Sequence, residues 1–90
     1  MEYRLHDGTR VDCLTESYAI EFDFSNKWAE AIGQSLYYAV ETKRLPGIVL
    51  ILEKQSDERH LKRLMKTAAP YGIRVWTISN FPTKTKEVQQ

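Results

Sequence analysis

The sequence holds a single cysteine, Cys13, which excludes an intramolecular disulfide framework and a multi-cysteine zinc site within one chain. No apolar run approaches the ~18 residues that a membrane-crossing helix needs. The N-terminus lacks the basic-then-apolar order of a secretory leader, so a cytoplasmic location without a membrane partner is expected. Charge of one sign is also scarce. Thirteen Lys and Arg stand against 12 Asp and Glu, for a formal net charge of +1. The excess of basic residues that often marks a nucleic-acid binder is therefore missing. There is no repeat and no low-complexity tract.

What remains is an ordinary globular composition: 42% hydrophobic, 11% aromatic and 28% charged over 90 residues. Such a chain is too apolar to be disordered. At this length it buries ~60–65% of its unfolded surface, enough for one modest core. The charges are unevenly spread. Arg59, Lys62, Arg63, Lys66, Arg74, Lys84 and Lys86 fall late, while acidic residues favour the first half. A solvated basic helix face explains the late cluster as simply as a binding surface does.

Periodicity gives the element order. Glu2 to Leu5 is extended in character, and Asp7-Gly8 is a hairpin-turn signal before a second strand at Arg10 to Leu14. From Ser17 to Phe24 the pattern alternates, with Tyr18, Ile20, Phe22 and Phe24 on one side and Ala19, Glu21 and Asp23 on the other. Ser25 or Asn26 is positioned to cap a helix running to about Lys43. Its apolar stripe reads Trp28, Ile32, Leu36 (or Ser35), Ala39 and Val40. Pro46-Gly47 breaks the chain, and Ile48 to Leu52 is a continuous apolar run typical of a buried central strand. A second helix is predicted over 57–69, with Leu61, Leu64, Met65 and Ala68 inward. Pro70 and Gly72 end it, and Ile73 to Ile78 is a last strand. The reading is α/β, in the order β-β-β-α-β-α-β, with a mixed sheet of about five strands. Residues 1–79 form one domain, and 80–90 form a polar tail expected to fray.

Carboxylates carry the candidate chemistry. Asp12 sits in the second predicted strand, and Glu21 and Asp23 sit in the third, opposite its aromatic residues. Carboxylates gathered on one face of adjacent strands repel one another unless a cation lies between them. Mg²⁺ or Mn²⁺ suits such oxygen ligands. An exposed polar sheet face explains the same alternation. On the following helix Lys27, Ala31, Gln34 and Tyr38 share one stripe at the border of the apolar face, offering a cation, an amide and a phenol.

Asp12, then Ala19-Ile20-Glu21-Phe22-Asp23, then Gln34-Ser35-Leu36-Tyr37-Tyr38, resembles the Asp, (D/E)-x-K and Q-x-x-x-Y motifs of PD-(D/E)XK nucleases of the lambda-exonuclease and RecB type. The similarity spans about residues 2–53. It implies a restriction-endonuclease-like fold and metal-dependent hydrolysis of nucleic-acid phosphodiesters, with DNA the expected partner. The implied metal ligands are Asp12, Glu21 and the carbonyl of Phe22. Gln34 and Tyr38 would position substrate, and pairing of family members suggests a homodimer or a partner protein. Two departures stand out. The expected lysine is Asp23, whose charge has the wrong sign, which leaves Lys27 as the replacement cation and Asp23 as an extra ligand. The helix that usually opens the family core has no counterpart before Glu2, whose carboxylate is the remaining candidate for that ligand. A protein that binds DNA or a partner but cleaves poorly is the alternative. His6, His60, Trp28 and Trp76 have plain surface or packing explanations.

Overall fold

The computed structural model describes residues 2–83. Its first element is a small antiparallel hairpin, β1 (Tyr3–Arg4) with β2 (Arg10–Val11), in the register Tyr3↔Val11. Asp7 builds the turn: its Oδ1 accepts from the backbone N–H and the hydroxyl of Thr9. Gly8 follows at φ 94°, a conformation that glycine adopts without a Cβ clash. The strand expected from Arg10 to Leu14 is divided at Asp12. Its second half, β3 (Cys13–Leu14), pairs antiparallel with β4 (Tyr18–Phe24) instead of with the hairpin.

The main sheet has the order β3-β4-β5-β6, where β5 is Leu45–Leu52 and β6 is Arg74–Ser79. The last three strands are parallel, so the sheet is mixed. It holds four strands where about five were expected, because the hairpin stays a separate two-stranded ribbon. β5 also starts earlier than the Pro46-Gly47 pair suggests. Its ladder with β6 begins only at Gly47, so the N–H that Pro46 lacks removes no bond to β6.

Helices α1 (Trp28–Thr42) and α2 (Glu58–Ala68) form the crossovers. Both lie on one face. Ala31 of α1 and Leu61, Leu64 and Ala68 of α2 share a buried cluster with Ile48, Leu50, Leu52, Ile73 and Val75. A second cluster joins Leu5, Val11, Ala19 and Tyr38, so α1 ties the hairpin to the sheet. α2 buries the stripe expected of it, but α1 is turned from its predicted orientation. Ala31, Ser35 and Tyr38 are buried, Trp28, Ile32 and Leu36 flank the core, and Val40 is 72% exposed. Small side chains at 31 and 35 let the helix lie close to the sheet, and the stripe that looked like a border becomes the contact. Neither Ser25 nor Asn26 caps it, since a 3-10 turn at Ser25–Lys27 precedes α1 without a side-chain cap bond. Lys43 ends the helix in the left-handed region at φ 58°.

The opposite face of the sheet is uncovered by the described residues. Phe22, Phe24 and Ile78 stand exposed there, beside Tyr18 packed edge-on against Trp76 and Arg74 lying over the Trp76 ring. Beyond β6, Phe81 packs against the core, so the expected polar tail begins attached. Residues 84–90, with Lys84 and Lys86, lie outside the described residues. No helix among the described residues is long and apolar enough to cross a membrane.

Gly47 sits close beneath the Trp76 ring. A Cβ there would stand 2.9 Å from Cζ3 of Trp76 and 3.4 Å from Cγ1 of Ile20. Gly47→Ala should therefore cost ~1–3 kcal/mol in urea unfolding, as overpacking does. Adding Trp76→Leu should return part of that loss, and a neutral single variant would contradict the contact.

Candidate functional site

The site grows from the break at Asp12. Extending the β3–β4 register (Cys13↔Ile20, Leu14↔Ala19) by one residue sets Asp12 against Glu21. Asp12 makes no ladder there. Its Oδ2 accepts from the Phe22 backbone N–H at 2.9 Å, which pins the carboxylate to the rim of β4. Glu21 lies on the helix-covered face, opposite Ile48 of β5, and is only 7% exposed. Burial is the main reason its carboxyl is pushed up to about 8. The charge of Asp12 and a hydrogen bond between the two side chains follow, with smaller contributions from Asp23 and Glu30. At neutral pH Glu21 is thus largely protonated.

Tyr38 completes the inner site from α1. It is buried, and its phenol is raised first by burial and then by the charges of Glu21, Asp12 and Asp7. Gln34 stands one turn earlier on the same helix, half-buried. Asp23, half-buried two residues beyond Glu21, is raised by burial and by Glu30, while Lys27 and the Phe24 N–H pull it back. The positions predicted as a stripe on α1 and as one face of β4 thus meet, with Lys27 acting on Asp23 at the outer end and Tyr38 beside Glu21 at the inner end.

Compared with protein-family models, with curated proteins and with solved structures, the chain matches none. The site is therefore read from its own chemistry.

Two residues of the sequence reading stand apart from this group. Glu2 forms an ion pair with Arg10 at 3.0 Å across the exposed hairpin. Phe22 offers the carboxylate side only its main chain, because its ring is 39% exposed on the uncovered face. Lys27 is exposed and lines a pocket at the far end of β4. Among the described residues, no group of three or more His, Cys, Asp and Glu is arranged to hold a metal. Asp12 and the buried Glu21 bring two carboxyl groups into hydrogen-bond contact, and carboxylate oxygens are the donor type that hard cations take.

Glu30 and Asp7 are the participants that the sequence reading passed over. Glu30, exposed in the first turn of α1, acts on both Glu21 and Asp23, and its place three residues after Lys27 was the available signal. Asp7 accepts from the Tyr37 hydroxyl through Oδ2, which fastens the hairpin turn to α1. That bond, with those from Thr9, holds Asp7 down to about 2 and lifts Tyr37 to about 12. Nothing local in the sequence announces a contact between residues 30 positions apart.

Glu21 has a thermodynamic consequence. Its ordinary value is 4.5 and its folded value about 8, so across that window the unfolded chain has lost a proton that the folded chain keeps. Without metal, stability should fall as pH rises from 4.5 to 8. Each tenfold difference in proton affinity is about 1.4 kcal/mol, and each kcal/mol is worth roughly 4–8 °C in a domain this small. Thermal melts in EDTA should show that fall for wild type and a much flatter profile for Glu21→Gln. A melting temperature that rises over the window would contradict the buried acid.

Proposed function

We propose that this chain is a nuclease-like protein of the PD-(D/E)XK type with a restriction-endonuclease-like fold. Its reaction is the divalent-metal-dependent hydrolysis of phosphodiester bonds in nucleic acid, with DNA as the substrate. It acts in the cytoplasm, as a homodimer or with a protein partner. The observation that carries this reading is the pairing of Asp12 with the buried Glu21 across the break in the second predicted strand. A protonated acid held against a carboxylate is suited to exchange its proton for a hard cation.

Asp12, Glu21 and the main-chain carbonyl of Phe22 would hold Mg²⁺ or Mn²⁺, with Asp23 at the outer edge. When bound, such an ion polarises a phosphodiester oxygen and lowers the pKa of a water. The chain's own residues supply the rest. Tyr38 and Gln34, on the sheet-facing side of α1, orient the substrate. Lys27 offsets the charge of Asp23 and of an incoming phosphate. The proton lost by Glu21 on ionising leaves through the Asp12 side of the site.

A second reading has its own support. Asp23 takes the place of the lysine in E-x-K, and the cation Lys27 acts on Asp23 at the outer end of the site. This favours a catalytically weak nuclease fold that binds DNA or a protein partner.

The test uses purified protein with linear, nicked, branched and single-stranded DNA in Mn²⁺, beside Glu21→Ala and Lys27→Ala. The nuclease reading expects nicking by wild type and a loss of at least ~100-fold in both variants, in the range of lost acid–base or metal function. Cleavage that survives Glu21→Ala would sink it. Mn²⁺ binding by calorimetry without turnover would select the second reading.

A further inference from the structure

The carboxyl ends of β4 and β5 frame a cavity of about 450 Å³, lined by Phe24, Ser25, Asn26, Lys27, Glu53, Lys54, Asp57, Arg59 and His60. That volume lies within the ~300–1,000 Å³ range of small-molecule sites, and the ends of parallel strands are where open α/β sheets place ligands.

Its cations are only partly offset by its own carboxylates, with Lys54 and His60 acting on Asp57. Among the described residues none of Lys27, Lys54 and Arg59 forms an ion pair; Lys27 acts on Asp23 and Lys54 on Asp57 only through their charge, which leaves the three cationic heads accessible to a ligand. The buried carboxylate of Asp57 is already occupied, since its Oδ2 accepts from the N–H groups of Glu53 and Lys54 at 2.9 and 3.2 Å. Glu53 is the single exposed carboxylate left in the lining. His60 adds a polar atom, Nδ1, that is shut off from solvent and has no hydrogen-bond partner among the described residues. Phe24, 49% exposed, brings an aromatic surface to the same rim. Three cations, an imidazole whose Nδ1 lacks a hydrogen-bond partner and an accessible ring are the ingredients of a single-stranded nucleic-acid site, in which cations track the phosphate and the ring stacks a base.

We propose that this pocket binds one nucleotide unit of a single strand, its phosphate held by Lys27, Lys54 and Arg59 and its base stacked on Phe24. The inference rests on the nuclease-like reading and adds the form of its substrate. Phe24 lies three residues past Glu21, roughly 10 Å along the strand. Phe24 and Glu21 point to opposite faces of the sheet, so the pocket and the carboxylates meet at the end of β4. Lys27 joins the two places, acting on Asp23 while lining the cavity.

The experiment measures fluorescence anisotropy with a labelled oligothymidylate of about twelve nucleotides, in EDTA, so that no cleavage and no metal enters. Lys54→Ala/Arg59→Ala should weaken binding at least ~10-fold and lower the salt slope by about 1.4, two phosphate contacts on a single strand. Phe24→Ala should weaken it ~5-fold or more, the loss of one stacked base. Lys62→Ala/Arg63→Ala, on the outer face of α2, is the control and should change affinity less than ~3-fold. Circular dichroism of each variant should match wild type. Equal losses in the control and the pocket variant, an affinity unmoved by either pocket variant, or no binding by wild type would each overturn the site. Cleavage in Mn²⁺ by a protein that binds independently of this pocket overturns the site and leaves the nuclease reading standing. Binding through the pocket without cleavage does the reverse.

Discussion

Glu21 occupies a place in β4 that packing would ordinarily give to a hydrophobic residue. It faces α1, lies opposite Ile48 and has Asp12 as its neighbour, so its ionised form is opposed by burial and by a like charge together. The chain accommodates the group as a neutral acid. Much of the surrounding structure serves that choice. The strand must break at Asp12 for that carboxylate to turn toward β4, and the Phe22 N–H must be free of other partners to receive it. Small residues at 31 and 35 let α1 lie over Glu21, and Tyr38 closes the inner side, while Asp12 stays exposed at the rim.

The same arrangement explains how so short a chain holds two hydrophobic clusters. The larger one lies between the sheet and both helices, and the smaller lies under the hairpin. α1 belongs to both, through Ala31 and Tyr38. The Asp7–Tyr37 hydrogen bond adds a surface tie at the end of that helix, where the hairpin would otherwise be held by Leu5 and Val11 alone. The carboxylate pair sits at the seam between the clusters, where the main-chain ladder is interrupted and polar groups have room to meet.

The sheet is strongly two-sided. Its covered face carries the acid pair and the aliphatic core, and its other face presents Phe22, Phe24, Ile78 and the Trp76 stack. The pocket of Lys27, Lys54, Arg59 and His60 lies at the end of the strands, between these two surfaces. Charge is thereby sorted along β4, acidic at its middle and basic beyond its end, although the chain as a whole is nearly neutral. A net charge of +1 conceals this sorting completely.

Residue pattern alone determined the α/β class, the positions of β4, α1, α2 and β6 to within a residue or two, and the face of β4 that Glu21 and Asp23 share. These depend on period-two and period-3.6 spacing, which is local. It also pointed to Asp12 and Tyr38, which the fold brings beside Glu21. Tertiary structure decided what local periodicity does not encode. The rotation of α1 followed from packing, because Ala31 and Ser35 allow a close approach that a count of apolar side chains, with Val40 among them, does not register. The division of the second strand at Asp12, the ion pair that takes Glu2 away from the carboxylates, the hold of Asp7 on Tyr37 and the meeting of Lys27 with Lys54 and Arg59 all join residues distant in sequence. Spacing sets which way a side chain points along its own element, and only the packing of elements sets which charges it meets there.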